Sequence, residues 1–237
     1  MRELATTLTE ILLEPILERD PAGPRITFYD DANGARIELS ALTLANWAAK
    51  TANMIRDEFA LTPGARIAVL LPAHWQTAAV LLGAWWAGAE VVLHADPDAE
   101  LALVTADRLD EVQDIPEVAA LSLDAFGMPV RDLPIGVTDY ATSVRVHGDQ
   151  FRPAGAGLAL DGSSVGDVFA AAKAAATEQG LTSKDRVLSA QDWSTPTELV
   201  KAFVAVFAVG ASLVQVANPD PAAVERRIEA ERITTRL

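Results

Sequence analysis

There is no cysteine in this chain of 237 residues. That removes disulfides, thiolate metal sites and thiol nucleophiles together, and it fits a reducing compartment. Histidine is nearly as scarce: His74, His94 and His147 stand far apart, without the paired spacing of metal ligands, and no metal site is expected. No Gly-Lys pair occurs, which excludes a Walker loop. Basic residues number 19 against 33 acidic ones, for a formal net charge of −14; a surface of that sign repels nucleic acid and anionic membranes, so neither is expected as a partner. The most apolar stretch, residues 78–93, is too short for a bilayer span and carries Gly83, Gly88 and Glu90. The N-terminus lacks the basic start, unbroken apolar run and cleavage site of a signal peptide. A cytoplasmic protein is expected.

What the chain does contain is apolar residues, 50% of the total, gathered into short runs. The organising stretch is 61–97. Residues 66–71 form an apolar strand stopped by Pro72, 75–87 are apolar on every face as a helix packed on a sheet would be, Gly88 closes that helix, and 89–93 form a second strand. A strand, helix and strand in so few residues predict a parallel pair with a right-handed crossover. The unit recurs about 120 residues later: Leu181-Thr182-Ser183-Lys184-Asp185-Arg186-Val187 echoes Leu61-Thr62-Pro63-Gly64-Ala65-Arg66-Ile67, and 206–214 echoes 84–92.

Around these copies the pattern predicts a helix over 3–17 with Leu4, Leu8, Ile11, Leu12 and Leu17 at helical spacing and Pro15 kinking or ending it. A strand at 25–30 turns through Asp31-Ala32-Asn33-Gly34 into a return at 35–39, and Ser40 caps a helix whose buried face runs from Leu44 to Phe59. Strands follow at 101–105 and 119–123, with a helix expected in the acidic stretch 107–117. The Gly- and Pro-rich residues 126–153 read as irregular. The second half then gives a strand at 157–161, a helix at 165–179, a strand at 187–190, a helix at 198–209, a strand at 211–216, a helix at 221–230 and a strand beginning at 233. The expected fold class is α/β, two similar βαβ-containing layers with mainly parallel sheets, the halves lying at 1–145 and 146–237 within one compact unit.

In order along the chain, these residues resemble the N-terminal part of the adenylate-forming superfamily, which includes acyl-CoA synthetases and peptide-synthetase adenylation domains. Residues 37–59 look like its opening hairpin and helix, 61–71 like its "gv-x-pGDrVavllp" strand, and 85–96 like its "LkAGa-x-yvPldp" segment. Asp185–Ser189 resembles "D-rvLs", Asp192-Trp193-Ser194 fits "FD-x-S" with Gln191 in place of Phe, and 210–216 and Glu231-Arg232-Ile233-Thr234 fit "Gatvvlv" and "ekvT". The likeness covers nearly the whole chain but less than half of a full-length member, and within the superfamily it points to a short actinobacterial group related only to the N-terminal region.

The departures bear on function. Where the family carries "TSGTTG-x-PKG", whose amides and Lys hold the ATP phosphates, this chain has His147-Gly148-Asp149-Gln150-Phe151-Arg152-Pro153-Ala154-Gly155-Ala156-Gly157, with no Ser, Thr or Lys and with an aspartate that repels a triphosphate. The family's adenine motif, ribose-binding Asp and catalytic Lys would lie beyond Leu237. The resemblance therefore implies a non-catalytic module with no cofactor and no catalytic residue, binding a small acyl or nucleotide-like ligand or another protein, with a second copy of itself as one such partner. The alternative is half of a split adenylate-forming enzyme completed by another chain.

A further alternative comes from Gly162-Ser163-Ser164-Val165-Gly166, which satisfies G-x-S-x-G between a strand and a helix and would make Ser164 an esterase nucleophile. No histidine follows it to serve as base, and the competing reading is that Ser163 or Ser164 caps the helix. Gly155-Ala156-Gly157 opens like a dinucleotide fingerprint, but Leu160 takes the third glycine position and a strand follows instead of preceding. His74, after the strand 66–71, and Asp192 and Ser194, at the equivalent place in the second copy, are pocket candidates, with helix capping as the competing role. Trp85 and Trp86 read as core.

Overall fold

The computed structural model describes residues 6–237. In chain order its helices and strands are α1 (Leu8–Arg19), β1 (Pro24–Asp30), β2 (Ala35–Ser40), α2 (Ala41–Asp57), β3 (Arg66–Leu70), α3 (Trp75–Trp86), β4 (Glu90–Val92), β5 (Leu101–Thr105), β6 (Glu117–Leu121), β7 (Val137–Asp139), α4 (Tyr140–Val144), β8 (Leu158–Leu160), β9 (Ser163–Ser164), α5 (Val165–Glu178), β10 (Arg186–Ser189), α6 (Pro196–Leu199), α7 (Ala205–Ala208), β11 (Ser212–Ala217), α8 (Val224–Glu231) and β12 (Thr235–Arg236). The first helix is seen from Leu8 and continues through Pro15 to Arg19, so Pro15 does not end it; the expectation that it reaches Leu4 lies outside the described residues. Among the described residues no helix is long and apolar enough to cross a membrane.

Two compact units, each with its own sheet, divide the chain. The first takes residues up to Glu10, Ala45–Leu71 and Gln76–Val165. Its seven strands run β7-β6-β5-β3-β4-β8-β9, parallel except for β9. The predicted crossover is there: β3 and β4 pair in parallel, Ile67 opposite Val91, with α3 between them. Both faces are apolar, as a parallel sheet requires. Ala68, Leu70, Val92, Ala102 and Val104 pack with Ala99, Val112 and Ile115 on one face, and Ile67, Val69, Val91, Leu101 and Leu103 are buried on the other. The acidic stretch after β5 forms a short 3-10 helix, Ala106–Glu111, with Leu109 turned into the core.

The second unit takes Ile11–Leu44, Pro72–Trp75 and Gly166–Leu237. Its strands run β12-β10-β11-β1-β2, parallel except for the hairpin return β2. Sheet membership therefore does not break at 145/146: the N-terminal hairpin joins β11, and β8 and β9 join the first unit's sheet. Alternation assigns the faces. Leu188, Val214 and Val216 face α8 with Tyr29, Val224, Ile228 and Ile233, whereas Ile26, Phe28, Val187 and Leu213 are buried on the opposite face. Between β10 and β11 the helix predicted over 198–209 starts earlier, at Pro196, and loosens into a π turn at Val200–Val204 between α6 and α7.

Candidate functional site

At the carboxyl ends of the five-stranded sheet a polar row interrupts the apolar face. Register aligns Ser189 of β10 with Gln215 of β11, and Gln215 with Phe28 of β1. His74, just before α3, stacks edge-on against Phe28 with ring centroids 4.1 Å apart. Ser189, Gln215 and His74 are all buried. The Gln215 amide donates to the Gln191 carbonyl (3.0 Å) and the Gln191 amide donates to Ser189 Oγ (3.1 Å), which fixes the turn leaving β10. The other half of the Gln215 amide, Oε1, and the indole N–H of Trp193 have no hydrogen-bond partner among the described residues. Trp193 itself is buried against Phe203, centroids 4.7 Å apart. The row offers hydrogen bonds to an uncharged polar group and contains no carboxylate.

Of the sequence candidates in this unit, His74 belongs to the row, while Asp192 and Ser194 are exposed beside it. Neither caps the following helix. Thr195 does, accepting from the Glu198 amide (3.3 Å) while Glu198 accepts from the Thr195 amide (3.1 Å), a complete capping box. Ser194 donates to Glu198 (2.9 Å), and that bond, followed by those from Thr195, holds the Glu198 carboxyl below its usual range. Sequence reading missed Ser189 and Gln215; the available signal was a single glutamine inside the apolar run SLVQVA.

In the seven-stranded unit the segment 147–157, set against the superfamily's phosphate loop by sequence order, is fastened to α2. Lys50 Nζ donates to the His147 carbonyl (2.6 Å), and Asn53 Nδ2 donates to the carbonyls of Gly148 (2.8 Å) and Gln150 (2.9 Å). Glu58 meets the His147 ring at 3.0 Å and accepts from Ser143. Arg56 stacks over Phe151, 5.0 Å from the ring centre. Further on, Gly157 donates its amide to the Gly88 carbonyl (3.0 Å). A Cβ on Gly157 would lie 2.7 Å from Gly64 Cα, and one on Gly88 would lie 2.4 Å from the Gly155 carbonyl oxygen. The glycines of this segment thus serve close backbone packing.

Ser163 and Ser164 form β9, half-buried and paired antiparallel with β8. The positive φ angles here belong to Asp161 (41°) and Gly162 (78°), ahead of the serines. Ser164 itself lacks the strained backbone that exposes an elbow nucleophile, so the esterase reading loses its geometric basis. The Gly162 amide is held by Glu90 Oε1 (2.7 Å).

On the face of the five-stranded sheet that packs against α8 lies a charge network drawn from separate elements. Glu231 of α8 receives Arg36 Nε (2.9 Å), Tyr29 OH and Arg186. Burial pushes this carboxyl up, but the hydrogen bonds from Arg36, Tyr29 and Arg186 together outweigh it and bring Glu231 down to about 2. Glu38 bridges Arg36 (2.8 Å) and Arg186 (3.2 Å).

No family model matches the chain. Solved structures give its fold. An acyl-CoA synthetase from Brucella canis superposes with a TM-score of 0.79 at 20% identity, over 98% of this chain and 47% of that one. The anthranilate CoA ligase AuaEII, in complex with anthranoyl-AMP, gives 0.75 at 14%, over 99% and 50%. The N-terminal domain of FACL13 from Mycobacterium tuberculosis gives 0.70 at 14%, over 98% and 62%. The chain spans about half the length of the two ligases, and it has the α/β fold of the N-terminal domain of adenylate-forming acyl-CoA synthetases. In sequence it is 57% identical over 237 residues to a TIGR03089 family protein of Mycobacterium tuberculosis, covering 97% of both chains. Identity at that level over full coverage places this chain in the TIGR03089 family.

Proposed function

We propose that this protein is a non-catalytic member of the adenylate-forming fold that acts as an interaction module, binding a protein partner or a second copy of itself. The observation that carries this reading is the fastening of 147–157. Where the superfamily presents a phosphate loop, this segment directs the carbonyls of His147, Gly148 and Gln150 to Lys50 and Asn53 and packs its glycines against Gly64 and Gly88. A segment held in this way keeps no hydroxyl or ammonium for a triphosphate, and Asp149 adds a like charge. The test is ATP–pyrophosphate exchange by the purified chain with a panel of aliphatic and aromatic carboxylic acids. No exchange above the no-enzyme rate is expected; exchange with any acid overturns the reading. Light scattering after size-exclusion chromatography then tests for the second copy.

A split enzyme is favoured by one observation, that the chain spans about half of the solved ligases. On that reading the exchange activity is absent from the chain alone and appears when a polypeptide carrying the adenine motif and the catalytic lysine is added.

A further inference from the structure

The five-stranded unit opens a cleft of about 660 Å³ at the amino ends of β1, β10, β11 and β12. Open α/β sheets ordinarily bind ligands at the other end. The cleft's lining reverses the sign of the molecule: six cationic side chains stand among four carboxylates in a chain of net charge −14.

The carboxylates are committed to internal donors. Glu231 and Glu38 are taken by Arg36 and Arg186. Asp185 accepts from Thr182 (2.7 Å) and Thr234 (2.7 Å), which, with Thr234 contributing most, hold it below its usual range. Asp20 accepts from the Gly23 amide (3.0 Å).

Several of the cations are left over. Arg19 and Arg25 both donate to the Gly210 carbonyl, at 2.7 and 2.9 Å, Arg25 donates also to the Ala211 carbonyl (2.6 Å), and neither forms an ion pair among the described residues. Arg25 is 3% exposed, and its Nε has no partner among the described residues. Burial first and the charge of Arg19 second bring Arg25 down to about 10, with Asp20 opposing. Two guanidinium groups that share one neutral acceptor repel each other, and a bound anion would relieve that repulsion. At the rim, Lys184 and Arg232 are exposed, and their side chains donate no hydrogen bond among the described residues.

We propose that this cleft binds a small phosphorylated molecule, its phosphate oxygens held by Arg19, Lys184 and Arg232. The volume suits a small-molecule ligand. Carboxylates already taken by internal donors beside cations that lack an ion pair select an anion over a cation, and phosphate is an anion whose several oxygens can accept from guanidinium and ammonium donors together. The site is independent of the segment 147–157, so it stands or falls separately from the proposed function.

The experiment is titration calorimetry of the full chain with inorganic pyrophosphate at low ionic strength. Saturable binding is expected, weakened about tenfold in Lys184→Glu/Arg232→Glu. Lys173→Glu, an equal charge reversal per residue on the exposed face of α5, should leave the affinity unchanged. Both altered rim positions are exposed, and thermal melting checks that the variant folds. Absence of saturable binding overturns the proposal, as does an equal loss in Lys173→Glu, which would mean non-specific attraction. Sedimentation with phosphatidylglycerol vesicles in place of pyrophosphate binding would assign the charge to a lipid surface and equally overturn a soluble ligand.

Discussion

At Gly83 two effects of opposite sign meet. Alanine in a helix interior is ordinarily worth up to about 1 kcal/mol over glycine. Here, though, a Cβ would stand 2.5 Å from Thr51 Cβ and 2.9 Å from the Ala48 carbonyl oxygen, where α3 meets α2 within the seven-stranded unit. Forcing that contact costs about 1–3 kcal/mol, and one of the two obstacles is backbone, which yields least. Gly83→Ala is therefore expected to lower stability by about 1–2 kcal/mol, measured by chemical denaturation; a gain would mean that the helices separate at little cost. Glu231 is the corresponding case for charge. Its carboxyl is brought from 4.5 to about 2 in the folded protein, so its contribution is complete above about 4.5 and is lost as pH falls through about 2. Glu231→Gln should cost about 2–3 kcal/mol at neutral pH, because it removes the buried carboxylate that Arg36 and Arg186 share and leaves them only the more exposed Glu38. It should also flatten the decline in stability over that acid window. Melting curves of both proteins from pH 5 downward measure it.

Among the elements, the capping box before α6 separates two serine-or-threonine positions that look equivalent in sequence. Thr195→Ala removes the acceptor for the Glu198 amide and should cost about 1 kcal/mol. Ser194→Ala loses only an exposed bond to Glu198 and should stay within about 0.5 kcal/mol of the parent. Equal losses in the two variants would put the helix start one residue earlier. The sequence places this cap imperfectly because Asp, Ser and Thr at 192, 194 and 195 all satisfy the local rule, and only the turn pinned by Ser189 and Gln215 chooses among them. The apolar runs, by contrast, locate β3, α3, β4, β10 and β11 to within a residue or two, since burial on both faces leaves little choice of period, and the alanine-rich run ended by Gly180 does the same for α5. β7 and α4 escape because the Gly- and Pro-rich stretch around them hides a three-residue strand and a five-residue helix capped by Asp139. The π turn at Val200–Val204 also leaves no local mark, its residues including neither Gly nor Pro.

On the scale of the molecule, what the sequence withholds is pairing between distant segments. The repeat at 61–97 and 181–219 reveals two similar layers, but nothing local tells β1 to lie beside β11. Nor does anything local bring Arg36, Arg186 and Glu231 together from three separate elements. The charge excess, in contrast, is fully legible and leads to a prediction of its own. A net charge of −14 repels itself more in the compact state than in the expanded one, which weakens folding at low ionic strength. Salt shortens that repulsion, the screening length falling from about 30 Å at 0.01 M to about 10 Å at 0.1 M. It also weakens exposed ion pairs such as Arg56–Asp57 and Arg108–Glu111, but solvent already screens these and leaves them little to lose, and the buried carboxylate of the Arg186–Glu231 pair is little screened. Relief of the excess negative charge is thus the larger effect, and the melting temperature should rise as sodium chloride is added across that range at neutral pH. A fall would mean that the surface pairs outweigh the net charge. The same titration on Lys184→Glu/Arg232→Glu, whose charge is more negative by four, should show a steeper rise.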